Sequence, residues 1–178
     1  MKRSSFILSL SALLLIGSCT TTPEEDGPAL ELANKEWTLQ EATLSGRGVV
    51  TVSGGSSVPV SIEGRGENYD MTLNFGDIDK LVIAAGSFVF DVDLIALGFT
   101  VQNEKIPVQG VEIFSGTWEL VGDQLVITDN EETVTLDVVD YSDTMLMLSG
   151  EIEVSDFERF QEEGLTVSET NIEVVLAR

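Results

Sequence analysis

The chain has no histidine and one cysteine, Cys19, among its 178 residues. Ser-His-Asp and Cys-His catalysis therefore lack their base, and the usual zinc, copper and non-haem iron sites lack their imidazoles. No strand–Gly-loop–helix sequence is present to cradle a phosphate. Carboxylates carry what chemistry remains. Asp91 and Asp93 are two apart and share one face of a strand, as do Asp77 and Asp79 if their turn is extended. Paired acids can serve glycoside hydrolysis or hold calcium. Both pairs alternate with apolar residues, so the acids are expected to face water while Phe90 and Val92 point inward. Asp129-Asn130-Glu131, with Glu132 next to it, is the best local set of calcium ligands. It lacks the Asp-x-Asp-x-Asp-Gly spacing of an EF-hand loop, and an acidic hairpin turn needs no metal to exist. The residues point to a protein that is not an enzyme and needs no cofactor.

Cys19 closes the run Leu15-Ile16-Gly17-Ser18-Cys19, which follows Lys2, Arg3 and an apolar stretch from Phe6 to Ile16. That order is the build of a secretory signal peptide. As a helix the apolar stretch spans ~16 Å, too short for the ~30 Å core of a bilayer. An aliphatic residue and two small ones before a lone cysteine resemble the lipobox of bacterial lipoproteins. The resemblance implies cleavage before Cys19 and attachment of three acyl chains, palmitate among them, to that residue. Two or more chains hold a protein stably on a membrane. No other cysteine is present for a disulfide, so the exported part must find its stability in a core.

Residues 1–18 thus read as a leader, leaving 160 residues, enough for one domain. With Lys2 and Arg3 removed, 31 acidic residues stand against seven basic ones, a net charge near −24. Nucleic acid needs clustered Lys and Arg and is excluded as a partner. A peripheral grip on anionic lipid is disfavoured too, and such a charge keeps a surface protein soluble and monomeric. Residues 19–33 read as a disordered acidic tether: Thr20 to Pro28 has no apolar residue, two prolines and three consecutive acids. Acids a few places after the cysteine resemble the surface-export signal of Bacteroidetes lipoproteins. Thr20, in place of Asp, is what outer-membrane lipoproteins show. The expected address is the outer membrane, the cell surface more than the periplasmic face.

From residue 34 to 178 the pattern has period two, the mark of half-buried strands. Trp118, Leu120, Leu125, Ile127, Val134, Leu136 and Val138 alternate with polar residues between turns at Gly122-Asp123, Asp129 to Glu131 and Asp140 to Asp143. Consecutive hairpins of this kind make an antiparallel meander. Earlier, Gly46-Arg47-Gly48 and Gly64 to Asn68 read as turns between strands, and Leu81–Ala85 and Phe88–Leu94 as two segments. Residues 94–114 are the least regular, with Phe99–Gln102 and Val108–Phe114 as candidate strands. Ser155-Asp156-Phe157-Glu158 is a capping box and Gly164 a C-cap glycine, so one short helix is expected near the C-terminus. Ile172, Val174 and Leu176 form a closing strand. The fold class is all-β, an antiparallel up-and-down barrel of eight to ten strands that hides its edges.

Trp37, Gly116-Thr117-Trp118-Glu119-Leu120, Gly122 to Ile127, Val134 to Asp140 and Met145-Leu146-Met147-Leu148 resemble the lipocalin-like domains of Bacteroidetes lipoproteins. The resemblance implies a β-barrel of about eight strands without implying the activity of true lipocalins, whose Gly-x-Trp lies at the first strand. The expected inward rows include Tyr69, Met71, Leu73, Phe75, Phe88, Phe90, Trp118, Met145 and Met147, with Trp37 and Trp118 closing one end. A barrel of this size is either filled by such side chains or holds one small ligand. The expected function is a lipid-anchored binding module for a small apolar ligand or a protein partner. The alternative is an accessory surface lipoprotein with a filled barrel.

Overall fold

A computed structural model describes residues 31–52, 55–130, 132–152 and 164–178 of the chain. Period-two alternation becomes nine strands: β1 (Lys35–Thr51), β2 (Ser57–Phe75), β3 (Leu81–Ala96), β4 (Phe99–Gln109), β5 (Gly116–Val121), β6 (Gln124–Asp129), β7 (Glu132–Tyr141), β8 (Met145–Glu151) and β9 (Leu165–Ala177). All pairings are antiparallel. Eight strands close a ring in chain order, β1-β2-β3-β5-β6-β7-β8-β9 and back to β1. The chain is thus an up-and-down barrel, with β4 outside the ring and paired, among the described residues, to β3 alone. The ring closes between β3 and β5 through only two residue pairs, Leu81 with Thr117 and Val82 with Gly116.

The glycine clusters at 46–48 and 64–68 are not turns. β1 and β2 run straight through them for 17 and 19 residues. In β2 the buried positions are Val60, Ile62 and Gly66, then Met71, Leu73 and Phe75, so the inward parity switches from even to odd. A β-bulge between Glu67 and Asp70, with Asn68 at φ 55°, makes the switch. β1 does the same between Leu39 and Glu41, passing from Trp37 and Leu39 to Ala42 and Leu44. A phase change in the alternation mimics the end of one strand and the start of another. β3 is likewise one strand, because Gly86, at φ +84°, lets it pass the bulge. A Cβ there would lie 1.6 Å from the Asp70 carbonyl oxygen.

Residues 108–114 are not a strand either. β4 stops at Gln109 and a five-residue helix, α1 (Gly110–Phe114), follows. A Cβ on Gly110 would meet Met71 Sδ at 2.7 Å and Ala84 Cβ at 3.3 Å, so the helix lies on the inner face of β2 and β3. It buries Phe114 to 1 % exposure. The helix expected from Ser155 lies outside the described residues, which resume at Gly164. Leu32 is fully buried, so the packed unit starts before residue 34.

Candidate functional site

Chain direction sorts the turns into two poles. Residues 31–34, the β2–β3 turn at 76–80, Gly122-Asp123 and 142–144 lie at the pole where the described chain begins, hereafter the tether pole. The β1–β2 and β3–β4 turns lie at the other, the far pole.

The barrel interior is packed. Met71, Leu73 and Phe75 have no exposed surface, and Phe88 and Phe90 have 1 %. A side chain lining a void wide enough for water would present surface to it, and these do not. Phe88 meets Phe90 edge-on at 4.8 Å between centroids, and Phe75 meets Trp118 likewise at 5.4 Å. Such pairs add about 0.5–1.5 kcal/mol beyond area burial. Tyr69, half-buried, stands 6.2 Å from Phe88 and lays its ring over Gly66. Its hydroxyl donates to the Gly66 carbonyl at 2.8 Å and accepts from the Ala42 N–H at 3.1 Å. It thus ties together the two bulges, where the β1–β2 ladder is interrupted.

Met145 and Met147 do not belong to the interior. Leu146 and Leu148 are fully buried while both methionines are half-buried on the outer face. Register decides this: Leu146 pairs with Leu176 and Leu148 with Val174, members of the inward row of β9. Residues directly opposite on paired strands share a face.

Both tryptophans sit near the tether pole. Trp118 Nε1 donates to the Gly76 carbonyl at 3.0 Å, and Lys80 Nζ lies 4.7 Å from its ring while pairing with Asp77 at 3.1 Å. Trp37 is fully buried, and its Nε1 has no partner among the described residues. An open groove of about 620 Å3 lies here between Glu31, Asn34, Asp77, Lys80 and Glu119, with Trp118 in its floor. Trp118 is only 5 % exposed, and the groove mixes these charged and polar walls with apolar lining from Leu32, Ala33 and Leu120.

Tyr141 is a residue the sequence reading passed over as part of a turn. Its hydroxyl donates to the Glu31 carbonyl at 2.9 Å and accepts from the Glu31 N–H at 3.1 Å and Lys35 Nζ at 3.2 Å. Lys35 in turn lies 3.6 Å from Asp143. This clasp fixes where residue 31 leaves the domain. The only prior signal was an aromatic side chain in an otherwise polar turn.

Asp91 and Asp93 are held by residues of β4, and Asp77 pairs with Lys80. Asn103 Nδ2 donates to Asp91 at 2.7 Å and to Asp93 at 3.1 Å. Lys105 bonds to Glu67 at 2.5 Å and lies 3.6 Å from Asp91. The Glu67 hydrogen bond, with Asp91 beside it, raises the Lys105 pKa above its ordinary value. At the expected calcium turn, Asp129 faces Glu132 across the β6–β7 ladder and Asn130 takes φ 45°, while Glu131 lies outside the described residues. No group of three acidic, cysteine or histidine ligands is assembled among the described residues.

Comparison with protein-family models, with curated proteins and with solved structures finds no match.

Proposed function

We propose that this chain is an outer-membrane lipoprotein, held by lipid on Cys19, whose lipocalin-like barrel is a filled scaffold that binds a protein partner on its outer surface. The observation that carries this reading is the packed interior: the candidate pocket residues Met71, Leu73, Phe75, Phe88 and Phe90 leave no surface for a ligand to touch. α1 adds to that filling, with Gly110 against Met71 and Ala84 and Phe114 buried. Asp91 and Asp93 are engaged in cross-strand bonds to Asn103 and Lys105, which favours a role in binding over catalysis. The barrel acts as a monomeric spacer between membrane and partner, with no affinity for nucleic acid. Native mass spectrometry of the detergent-extracted protein tests it, together with titration by N-phenylnaphthylamine. The expected result is the mass of the triacylated chain alone and no saturable fluorescence. A co-purified apolar molecule, retained until unfolding, would overturn the filled-scaffold reading. Labelling with an alkynyl palmitate, lost on Cys19→Ser, tests the anchor separately.

A further inference from the structure

The far pole carries an apolar feature that packing does not explain. Leu94 to Gln102 is uncharged over nine residues in a chain that is 22 % charged. Within it Leu97, Phe99 and Val101 are 83 %, 75 % and 58 % exposed. Leu97 and Gly98 form a two-residue hairpin turn with φ of 53° and 82°. Turns with positive φ at both central positions favour Asn, Asp or Gly first, and a leucine held there costs about 1 kcal/mol. Stability therefore does not account for Leu97. Beside it runs an unpaired edge, since β4 pairs with β3 alone among the described residues. Pro107, opposite Val89, has no N–H and turns its nitrogen away from β3. By the same alternation Asn103 and Lys105 direct backbone groups to the outer edge. The edge is open toward the tip and stopped by Pro107.

Resting on the reading of a lipid-anchored partner-binding scaffold, we infer that the β3–β4 hairpin is its docking surface. Its occupant is an extended apolar segment of a partner protein, flanked by Lys or Arg, which adds as a strand to β4. Three observations choose this occupant. A second copy of the chain, cleaved before Cys19, would bring a net charge near −24 against −24. On the outer face behind the tip Glu63, Glu67, Asp91 and Asp93 stand against Arg65 and Lys105, a net negative charge that complements a cationic segment. The tip also lies away from the anchor. The twelve peptide steps from Cys19 to Glu31 span at most about 42 Å. β3 alone, 16 residues long, covers about 40 Å along a barrel axis at the usual tilt. A tip turned down to the bilayer would need that segment drawn to its whole contour, so the tip faces away from the membrane or along it. Backbone bonds to the edge give such a complex its affinity, and Leu97, Phe99 and Val101 give it apolar area.

The test uses the full-length protein in detergent and a fluorescent peptide, Lys-Lys-Val-Thr-Ile-Thr-Val-Lys-Lys, read by anisotropy. Saturable binding below 1 mM is expected, at least tenfold weaker for the same peptide with Glu flanks. Leu97→Asn with Phe99→Thr should weaken binding at least tenfold while leaving the unfolding midpoint unchanged or higher, because Asn suits the turn. No saturable binding, or equal binding by the double variant, overturns the inference. So does self-association, or uptake by phosphatidylglycerol vesicles of the Cys19→Ser protein, that the double variant abolishes. Peptide binding is independent of Cys19, so a Cys19→Ser protein that stays membrane-bound would refute the anchor and leave the docking result standing.

Discussion

Replacing Tyr69 by Phe removes one oxygen atom and leaves the ring where it packs, over Gly66 and beside Phe88. That oxygen makes two bonds, to the Gly66 carbonyl and from the Ala42 N–H, at the level where the β1–β2 register jumps from Thr38–Thr72 to Thr43–Arg65. Ala42 is fully buried, so its N–H has no water to turn to. The net loss of a hydrogen bond is about 1 kcal/mol, and a stranded buried donor costs about 1–3 kcal/mol. The two together give about 2–4 kcal/mol with the ring left in place. For a domain near 150 residues that lowers Tm by about 6–12 °C. Urea unfolding followed by the fluorescence of Trp37 and Trp118 measures it, with the slope m expected to stay constant. A loss below about 0.5 kcal/mol would refute the idea that this hydroxyl bridges the two bulges. Tyr69 would then be an ordinary half-buried aromatic.

Three other outcomes follow from the packing. Trp118→Phe should destabilise more than Trp37→Phe by about 1–2 kcal/mol, since among the described residues only Trp118 Nε1 has a partner to lose; paired denaturant curves decide it. Gly86→Ala should cost at least about 3 kcal/mol, because both its positive φ and the Asp70 carbonyl oppose a side chain; circular dichroism of the purified variant is the check. The raised pKa of Lys105 means the folded state holds that proton more tightly than the unfolded chain. Its contribution is therefore present at neutral pH and fades as pH rises through the folded-state pKa, above 10.5. The stability gap between the parent and Lys105→Met should narrow from pH 9 to 12, and narrow also with added salt.

The barrel was legible wherever alternation was unbroken. Leu125, Ile127, Leu136, Val174 and Leu176 carry the inward row in sequence and in space, because short strands with polar outer faces leave one register that buries them. Legibility failed where parity changed inside a strand. Nothing local to Gly64–Asn68 distinguishes a bulge from a turn; the difference lies in Gly86 on the neighbouring strand, which makes room for it. It failed again at Met145–Leu148, where all four residues are apolar and only pairing with β9 decides which face is inside. Residues 108–114 read as a strand because Val108, Ile113 and Phe114 are apolar, whereas the close approach of Gly110 to Met71 requires the chain to leave the sheet. Of the candidate site, the interior rows were visible by composition. The Tyr141 clasp and the place of the uncharged run 94–102 beside an open sheet edge were not, since each depends on what strand pairing brings near.

The ring order has a consequence for how the protein is made. β9 follows every other strand in the chain, yet it alone joins β8 to β1. Until residues 165–177 emerge during synthesis, β1 lacks one of its two neighbours and the inner row of Trp37, Leu39 and Leu44 faces an open trough. The nascent chain thus stays uncommitted until translation has passed the last strand, since such long-range pairing is slow to form. A barrel whose ring closes through β9 remains threadable through a narrow pore until that strand has been made.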